Sequence, residues 1–173
     1  QGGCILNTFI RHSDVVRIAC IAQLVNVIAP IMTEPGGPAW RQTIYWPFML
    51  ASKNGRGTAL RLAVDVPSYD AAAADEVPWL DIAGTHDSDR GTLTFFAINR
   101  HASEAIEAAV SLEGFKAKAV EHTIIRHHDL EARNTMEAPD NVSPKKGEGA
   151  RLGGRGIELT LPPHSYSMIQ VAL

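Results

Sequence analysis

The sequence has few cysteines and no strong excess of one charge. Only Cys4 and Cys20 occur among 173 residues, which excludes a disulfide framework and favours free thiols in a reducing compartment. The 16 basic and 19 acidic residues give a net charge of −3, so the chain lacks the basic surface that nucleic-acid binding requires. With 45% hydrophobic and 20% charged residues, the composition is that of a globular protein and excludes a disordered, collagen-like or coiled-coil chain.

Long hydrophobic runs are also missing. The longest, residues 18–32, is interrupted by Gln23, Asn26 and Pro30 and is shorter than the roughly 20 apolar residues of a membrane span. It therefore indicates buried protein core, and we expect no membrane partner. No targeting leader is visible at the start of the chain, so we expect a cytoplasmic protein. The sequence begins without Met in a stretch patterned like structured protein, so we expect a piece of a longer chain.

The first 55 residues have the pattern of an α/β unit. Ser13 can cap a helix, and the apolar spacing that follows predicts this helix over residues 14–23. Residues 24–32 form a continuous apolar run ended by a Pro/Gly-rich loop, which is typical of a strand buried on both faces. A second helix is predicted over residues 46–52. Helix, buried strand and helix in this order favour a barrel or a doubly wound sheet.

From residue 56 onward the pattern changes to short alternating strands. Residues 58–66 alternate strictly, and residues 79–86 and 92–99 predict a hairpin across a turn at 87–91. Further strands are predicted over residues 105–112, 118–125, 157–161 and 166–171, with irregular connections at 66–78 and 126–156. We therefore predict a mainly β protein with two parts. Residues 1–55 are the α/β part, and residues 56–173 are an antiparallel β-sandwich.

Charged and metal-binding residue types provide few candidates for a functional site. Glu34 follows the predicted strand 24–32, but Pro and Gly surround it, which favours a plain loop carboxylate. His122, His127, His128 and Asp129 are the only cluster with metal-ligand chemistry. Neighbouring strand residues point to opposite faces, so we interpret the cluster as solvated side chains of the sandwich. No metal site, no cofactor and no catalytic residue is predicted.

The polar residues near the apolar run are more informative. A buried amide without partners costs about 1–3 kcal/mol, so Gln23 and Asn26 should each have a hydrogen-bonding role. Each amide could cap neighbouring backbone, or could bind a polyhydroxylated ligand at the edge of a strand. Trp40, in the loop beyond, could form an apolar wall for such a ligand or pack beneath the following helix.

Four stretches carry a resemblance to a known family. They are ILNTFIRHSD (residues 5–14), IACIAQLVNVIAPI (18–31), GGPAWRQTIY (36–45) and LPPHSYSMI (161–169). Together they resemble the C-terminal portion of α-L-arabinofuranosidases of glycoside hydrolase family 51. The likeness is specific over residues 4–50 and looser in the sandwich.

The resemblance implies a fold and an activity. Members have a (β/α)8 barrel followed by a jelly-roll-like β-sandwich, so residues 1–55 would be the last barrel units, with residues 24–32 near the eighth strand. They release terminal α-L-arabinofuranosyl groups from arabinan and arabinoxylan with retention, which needs two carboxyl groups about 5–5.5 Å apart. In the family both are glutamates on earlier barrel strands, upstream of Gln1. We therefore expect the 173-residue chain alone to be inactive.

The resemblance also implies binding residues and partners. Gln23 matches the family glutamine that hydrogen-bonds arabinose in the cleaved subsite, which favours the ligand interpretation of this residue. Asn26 would then be scaffolding at the strand end, and Trp40 would line the substrate cleft. The expected partners are arabinofuranosyl oligosaccharides and further copies of the same chain, since family members are commonly homo-oligomers.

Two alternatives from other classes remain. A sandwich-type carbohydrate-binding module would need exposed aromatic rings, and a structural or assembly module would self-associate. Most aromatic residues of the sandwich part lie beside apolar neighbours, which favours core packing; they are Tyr69, Trp79, Phe95, Phe96, Phe115 and Tyr166.

Overall fold

Two stacked antiparallel sheets form the body of the protein in a computed structural model that describes residues 2–173. The helices are α1 (Gly2–Arg11) and α2 (Tyr45–Asn54). The strands are β1 (Ile31–Thr33), β2 (Ala39–Arg41), β3 (Thr58–Leu60), β4 (Ser68–Ala71), β5 (Ala74–Pro78), β6 (Leu80–Asp87), β7 (Thr92–Asn99), β8 (Ile106–Ser111), β9 (Ala119–Ile125), β10 (Lys145–Lys146), β11 (Ala150–Gly153), β12 (Gly156–Leu161) and β13 (Ser165–Ala172). The predicted mainly β class is confirmed.

The larger sheet has six strands in the order β10-β9-β13-β7-β6-β3, and the smaller has three in the order β11-β12-β8. Neighbouring strands in both sheets are antiparallel. The predicted hairpin is confirmed as β6 and β7, whose pairing runs from Leu80↔Asn99 to Asp87↔Thr92. The last strand, β13, lies between β7 and β9, so the end of the chain is at the centre of the larger sheet.

The main hydrophobic core lies between the two sheets. Alternate residues of the larger sheet meet those of the smaller one, as period-two alternation requires. The buried members are Leu80, Ile82, Leu93, Phe95, Ala97, Leu112, Ile157, Leu159, Leu161, Ile169 and Val171.

A second core covers the opposite face of the larger sheet. Phe96, Tyr166 and Met168 pack there against Leu50 of α2, and Ile10 of α1 joins the cluster. Strands β7 and β13 are therefore buried on both faces. The protein has three layers: helices, six-stranded sheet, three-stranded sheet.

The predicted helix over residues 14–23 is wrong. The helix is α1, and the chain then turns at residues 12–15 and continues without helical structure. Val15 and Ile18, which gave the helical spacing, are 72% and 83% exposed, so no buried apolar face stabilises a helix there. The missed helix begins with Gly2-Gly3, which reads as a turn. Gly3 is needed for close approach, since a Cβ there would lie 2.7 Å from Cδ2 of Tyr166.

The predicted strand over residues 24–32 is also wrong for most of its length. Only Ile31–Thr33 is extended, as β1, and it pairs with β2 across the turn 34–38. Gln23, Asn26 and Val27 have positive φ angles of 57°, 61° and 55°, which an extended strand does not allow.

The predicted strand 58–66 stops at Leu60, and the physical reason lies in α1. Continuing the register Leu60↔Gly84 would place residue 62 opposite Ile82. Arg11 already donates to the Ile82 carbonyl, with Nη1 3.2 Å from the oxygen. The chain therefore leaves β6 after Leu60, although Leu62 still packs on the main core.

The remaining predictions were mostly correct. The helix over 46–52 is confirmed as α2, and the four later strands are confirmed as β8, β9, β12 and β13. The prediction that residues 66–78 are irregular is wrong, because β4 and β5 form a hairpin there. Residues 126–156 are mostly irregular, as predicted, apart from the short strands β10 and β11.

A buried carboxylate joins α1 to the sandwich. The side chain of Asp81 on β6 is only 3% exposed and contacts two guanidinium groups. Nη1 of Arg11 lies 2.6 Å from Oδ1, and Nη2 of Arg100 lies 2.7 Å from Oδ2. Asn7 of α1, itself fully buried, donates to the same Oδ1 at 3.3 Å and to the Phe96 carbonyl at 3.1 Å. The Asp81 cluster (Asn7, Arg11, Asp81, Arg100) thus attaches the helix to the sheet.

We expect Asp81→Asn to lower the free energy of unfolding by about 3 kcal/mol. Two guanidinium groups lose their counter-charge, and the estimate takes the low end of the range for broken buried pairs because both groups are partly exposed. Urea denaturation of the 173-residue chain measures the change. The control is Glu158→Gln, which breaks the exposed Arg151–Glu158 pair and should cost less than about 1 kcal/mol. Equal small effects of the two variants would contradict the assigned role.

Candidate functional site

Gln23, the residue matched to arabinose binding, lies on the surface. It occupies an irregular segment between α1 and β1, is exposed, and has the positive φ angle given above. The interpretation of Gln23 as a buried amide that caps backbone is therefore wrong. Its amide group is available to a ligand, with both donor and acceptor capacity.

Asn26, three residues later, uses its amide internally. Its Oδ1 accepts the backbone N–H of Thr33 at 2.7 Å, and its Nδ2 donates to the Thr33 hydroxyl at 2.9 Å. The backbone N–H of Asn26 also donates to the Ile31 carbonyl at 2.8 Å. These bonds close residues 26–33 into a loop, so Asn26 acts as scaffolding, as expected.

Trp40 lies at the centre of β2, opposite Met32 of β1. It is half-buried, whereas its neighbours Ala39 and Arg41 are exposed. Its ring therefore lies on the less exposed face of this two-stranded hairpin. The backbone N–H of Gln42 donates to the Pro30 carbonyl at 2.8 Å. Gln23 and Trp40 therefore belong to one segment, residues 23–42, of which residues 26–42 are held together by internal hydrogen bonds.

Around this segment the surface is strongly apolar. Five large apolar side chains between residues 15 and 28 are more than 60% exposed: Val15, Ile18, Leu24, Val27 and Ile28. A cavity of about 640 Å³ lies beside them, lined by α1, α2, residues 19–21 and the end of β9. Scattered apolar residues are normal on a surface, but a contiguous set marks a contact area. We call residues 15–28 the exposed apolar segment.

The charged candidates do not form a centre. Glu34 is exposed in the turn between β1 and β2, as expected for a loop carboxylate. The rings of His127 and His128 lie 4.3 Å apart, and Nδ1 of His127 accepts the backbone N–H of Asp129 at 3.1 Å. Within residues 2–173, no three His, Cys, Asp or Glu side chains come together as metal ligands would.

His122 corrects the interpretation of the histidine cluster as solvated, because it is buried on β9. Its Nδ1 accepts the backbone N–H of Gly149 at 3.1 Å, which leaves the proton on Nε2 to be donated to the Ser167 hydroxyl at 2.9 Å. Burial lowers the pKa of His122 below the usual 6.5. A Cβ on Gly147 would collide with the imidazole, so glycine is required where this turn wraps the ring.

The lowered pKa makes stability depend on pH. The unfolded chain binds the His122 proton near pH 6.5 and the folded chain only at lower pH, so this contribution is complete above about pH 6.5 and is lost as pH falls toward the folded value. We expect His122→Gln to reduce the difference in unfolding free energy between about pH 8 and pH 5.5. His128→Gln, at an exposed position, should leave the difference unchanged. Urea titrations at several pH values measure both, and parallel pH profiles for the wild type and His122→Gln would refute the assignment.

The aromatic residues of the sandwich pack against other rings or lie in the core. Trp79 contacts Tyr69, at 3.9 Å between ring centroids, and His101, at 4.4 Å. Phe95 and Phe96 are fully buried and Tyr166 is 8% exposed. Trp79, the largest of these rings, is half-buried and packs against both of these side chains.

Sequence reasoning missed the Asp81 cluster. The signal was present, because Asp81 is the one acidic residue in the first half of an otherwise apolar predicted strand. Its partners, Arg11 and Arg100, lie 70 and 19 positions away, and no local pattern connects them. Residues 12–22 form neither a helix nor a strand. Their sequence therefore gave no indication that the helix ends at Arg11, before this segment.

No helix within residues 2–173 is long and apolar enough to cross a membrane.

Comparison with known proteins gives consistent matches over nearly the whole chain. The family model described as "Alpha-L-arabinofuranosidase C-terminal domain" matches residues 2–165. An intracellular exo-α-(1→5)-L-arabinofuranosidase of Streptomyces lividans is 44% identical over 171 residues, which cover 98% of this chain and 26% of that protein. An intracellular exo-α-(1→5)-L-arabinofuranosidase of Bacillus subtilis is 41% identical over 170 residues, which cover 98% of this chain and 34% of that protein.

The structural comparison agrees. A family 51 α-L-arabinofuranosidase from Bifidobacterium longum superposes with a TM-score of 0.88 at 35% identity, covering 98% of this chain and 32% of that one. The chain thus spans about a third or less of the length of these relatives.

Proposed function

Because this chain belongs to the family of α-L-arabinofuranosidase C-terminal domains, we propose that it is the C-terminal part of a retaining α-L-arabinofuranosidase. The complete enzyme would hydrolyse terminal α-L-arabinofuranosyl groups of arabinan- and arabinoxylan-type oligosaccharides. The observation that carries the proposal is the match over residues 2–165 together with relatives that are named exo-arabinofuranosidases. The word "intracellular" in those names supports a cytoplasmic location.

In this proposal the bond-breaking groups lie outside the chain. Retention uses one carboxylate as nucleophile and one carboxylic acid that protonates the leaving group, and both would be supplied by the part of the enzyme that precedes Gln1. The chain contributes binding: the exposed amide of Gln23 donates to and accepts from arabinose hydroxyls, and the Trp40 ring forms an apolar wall of the cleft.

The exposed apolar segment fits the same proposal. Residues 1–55 would be the last units of the barrel, and residues 56–173 the sandwich. Side chains such as Ile18 and Leu24 would be covered by barrel strands and helices earlier in the complete chain. Independently of this segment, we propose that the complete enzyme is a homo-oligomer, as the resemblance to the family implies.

A purely structural or assembly role is the second candidate, and the exposed apolar segment is the observation that favours it. A carbohydrate-binding module has less support, because the largest aromatic ring of the sandwich, Trp79, already packs against Tyr69 and His101.

We expect the 173-residue chain to show no turnover of an aryl α-L-arabinofuranoside. When the chain replaces the matching segment of the Streptomyces lividans relative, the fusion should be active. In that fusion Gln23→Ala should lower kcat/KM by about 5- to 30-fold, as expected when about 1–2 kcal/mol of hydrogen bonding is lost.

Gln170→Ala serves as the control, because Gln170 lies on β13 and its side chain donates to Asn54 of α2, away from residues 23–42. It should leave kcat/KM close to that of the parent fusion. Turnover by the chain alone would overturn the proposal and make Glu34 the first catalytic candidate. Sedimentation of the isolated chain distinguishes the assembly role from the enzymatic one. The assembly role predicts that the isolated chain forms stable oligomers and that no fusion is active.

A further inference from the structure

The long connection between β9 and β10 is organised around one buried side chain. Asn134 is 3% exposed. Its Oδ1 accepts the backbone N–H of Val142 at 2.7 Å, and its Nδ2 donates to the Val142 carbonyl at 3.0 Å. These two bonds close residues 134–142 into a compact loop of the sandwich.

The same Nδ2 reaches across to the site segment. It donates to the Arg41 carbonyl at 2.8 Å, a contact between residues 93 positions apart. Arg41 is the last residue of β2 and the neighbour of Trp40. A loop of the sandwich therefore holds the hairpin that carries the proposed wall of the cleft.

From Arg41 a set of backbone and side-chain hydrogen bonds leads to Asn26, three residues from Gln23. Strand β2 pairs with β1 in the register Thr33↔Ala39. The side chain of Asn26 binds both the backbone and the hydroxyl of Thr33, and Gln23 precedes Asn26 by three residues. These links run through backbone groups, the Thr33 hydroxyl and the half-buried Asn26 amide, so we expect a displacement of Arg41 to reach the residues next to Gln23.

We infer that Asn134 is a positioning residue, which sets the place of Trp40 and Gln23 through the Arg41 carbonyl. The role of those two side chains rests on the proposed function, whereas the attachment of the segment through the Asn134–Arg41 hydrogen bond does not. Asn134 fastens the end of the segment 23–42 to the sandwich, and the Asp81 cluster fastens the chain farther upstream. Asp81 binds Arg11 before the segment, and Asn134 binds Arg41 at its end.

Amide hydrogen exchange of the 173-residue chain tests directly whether Asn134 restrains the segment. Asn134→Asp keeps an acceptor for the Val142 N–H but loses both donations of Nδ2, to the carbonyls of Arg41 and Val142. We therefore expect the amides of Asn26, Thr33 and Gln42 to exchange at least about tenfold faster, since one lost hydrogen bond accounts for roughly that factor. The amides of β7 and β13 should keep their protection.

Asn141→Asp is the matched control, because Asn141 is an exposed amide in the same loop that donates only to the Arg133 carbonyl. It should leave all these rates unchanged. Unchanged rates at Asn26, Thr33 and Gln42 in Asn134→Asp would overturn the inference. If that variant unfolds, the wild type decides: nuclear Overhauser effects between the Asn134 side-chain amide and the backbone of Arg41 or Gln42 are expected, and their absence overturns the inference.

The consequence for catalysis is measured in the active fusion. Asn134→Asp should raise KM for the aryl arabinofuranoside by about five- to tenfold with a smaller change in kcat, while Asn141→Asp should change neither. An active fusion with unaltered KM in Asn134→Asp would overturn the positioning role. A fusion that is soluble but inactive with the wild-type chain would count against the proposed function, and hydrogen exchange would still decide the hold.

Discussion

A single buried carboxylate determines how the helical layer sits on the sandwich. Asp81 can be placed inside the protein only because two guanidinium groups and one amide satisfy it, since an unpaired charge would be very costly there. Two of those groups, from Asn7 and Arg11, belong to α1. The pairing that stabilises β6 therefore also determines where α1 ends and from which point the chain continues toward Gln23.

The same contact shapes the edge of the larger sheet. Because Arg11 occupies the Ile82 carbonyl, β3 cannot extend along β6, and the chain crosses toward the smaller sheet instead. Asn134 likewise donates to the Arg41 carbonyl. The sandwich thus does more than cover apolar surface: its buried polar side chains bind Arg11, upstream of the segment that bears Gln23 and Trp40, and Arg41, near the end of that segment.

Prediction from the sequence succeeded where side-chain alternation and turn residues agree with burial. The hairpin of β6 and β7, with its Asp/Gly-rich turn, could be located to within a residue, and so could β12 and β13. It failed in residues 12–33, where the apolar pattern suggested a helix and a strand. Those patterns stabilise regular structure only when the apolar face is packed against something, and here Val15 and Ile18 lie in solvent.

By itself, the sequence determined the mainly β class, the strands of the sandwich and the likeness to arabinofuranosidases, because these depend on local periodicity and on contiguous motifs. The candidate residues Gln23 and Trp40 were likewise found from a contiguous stretch. Only the tertiary structure decided how they are held. The partners Asp81–Arg11 and Asn134–Arg41 are separated by 70 and 93 positions. They pair because polar groups that become buried in the folded chain must find hydrogen-bonding partners there, and no local sequence pattern shows which groups those will be.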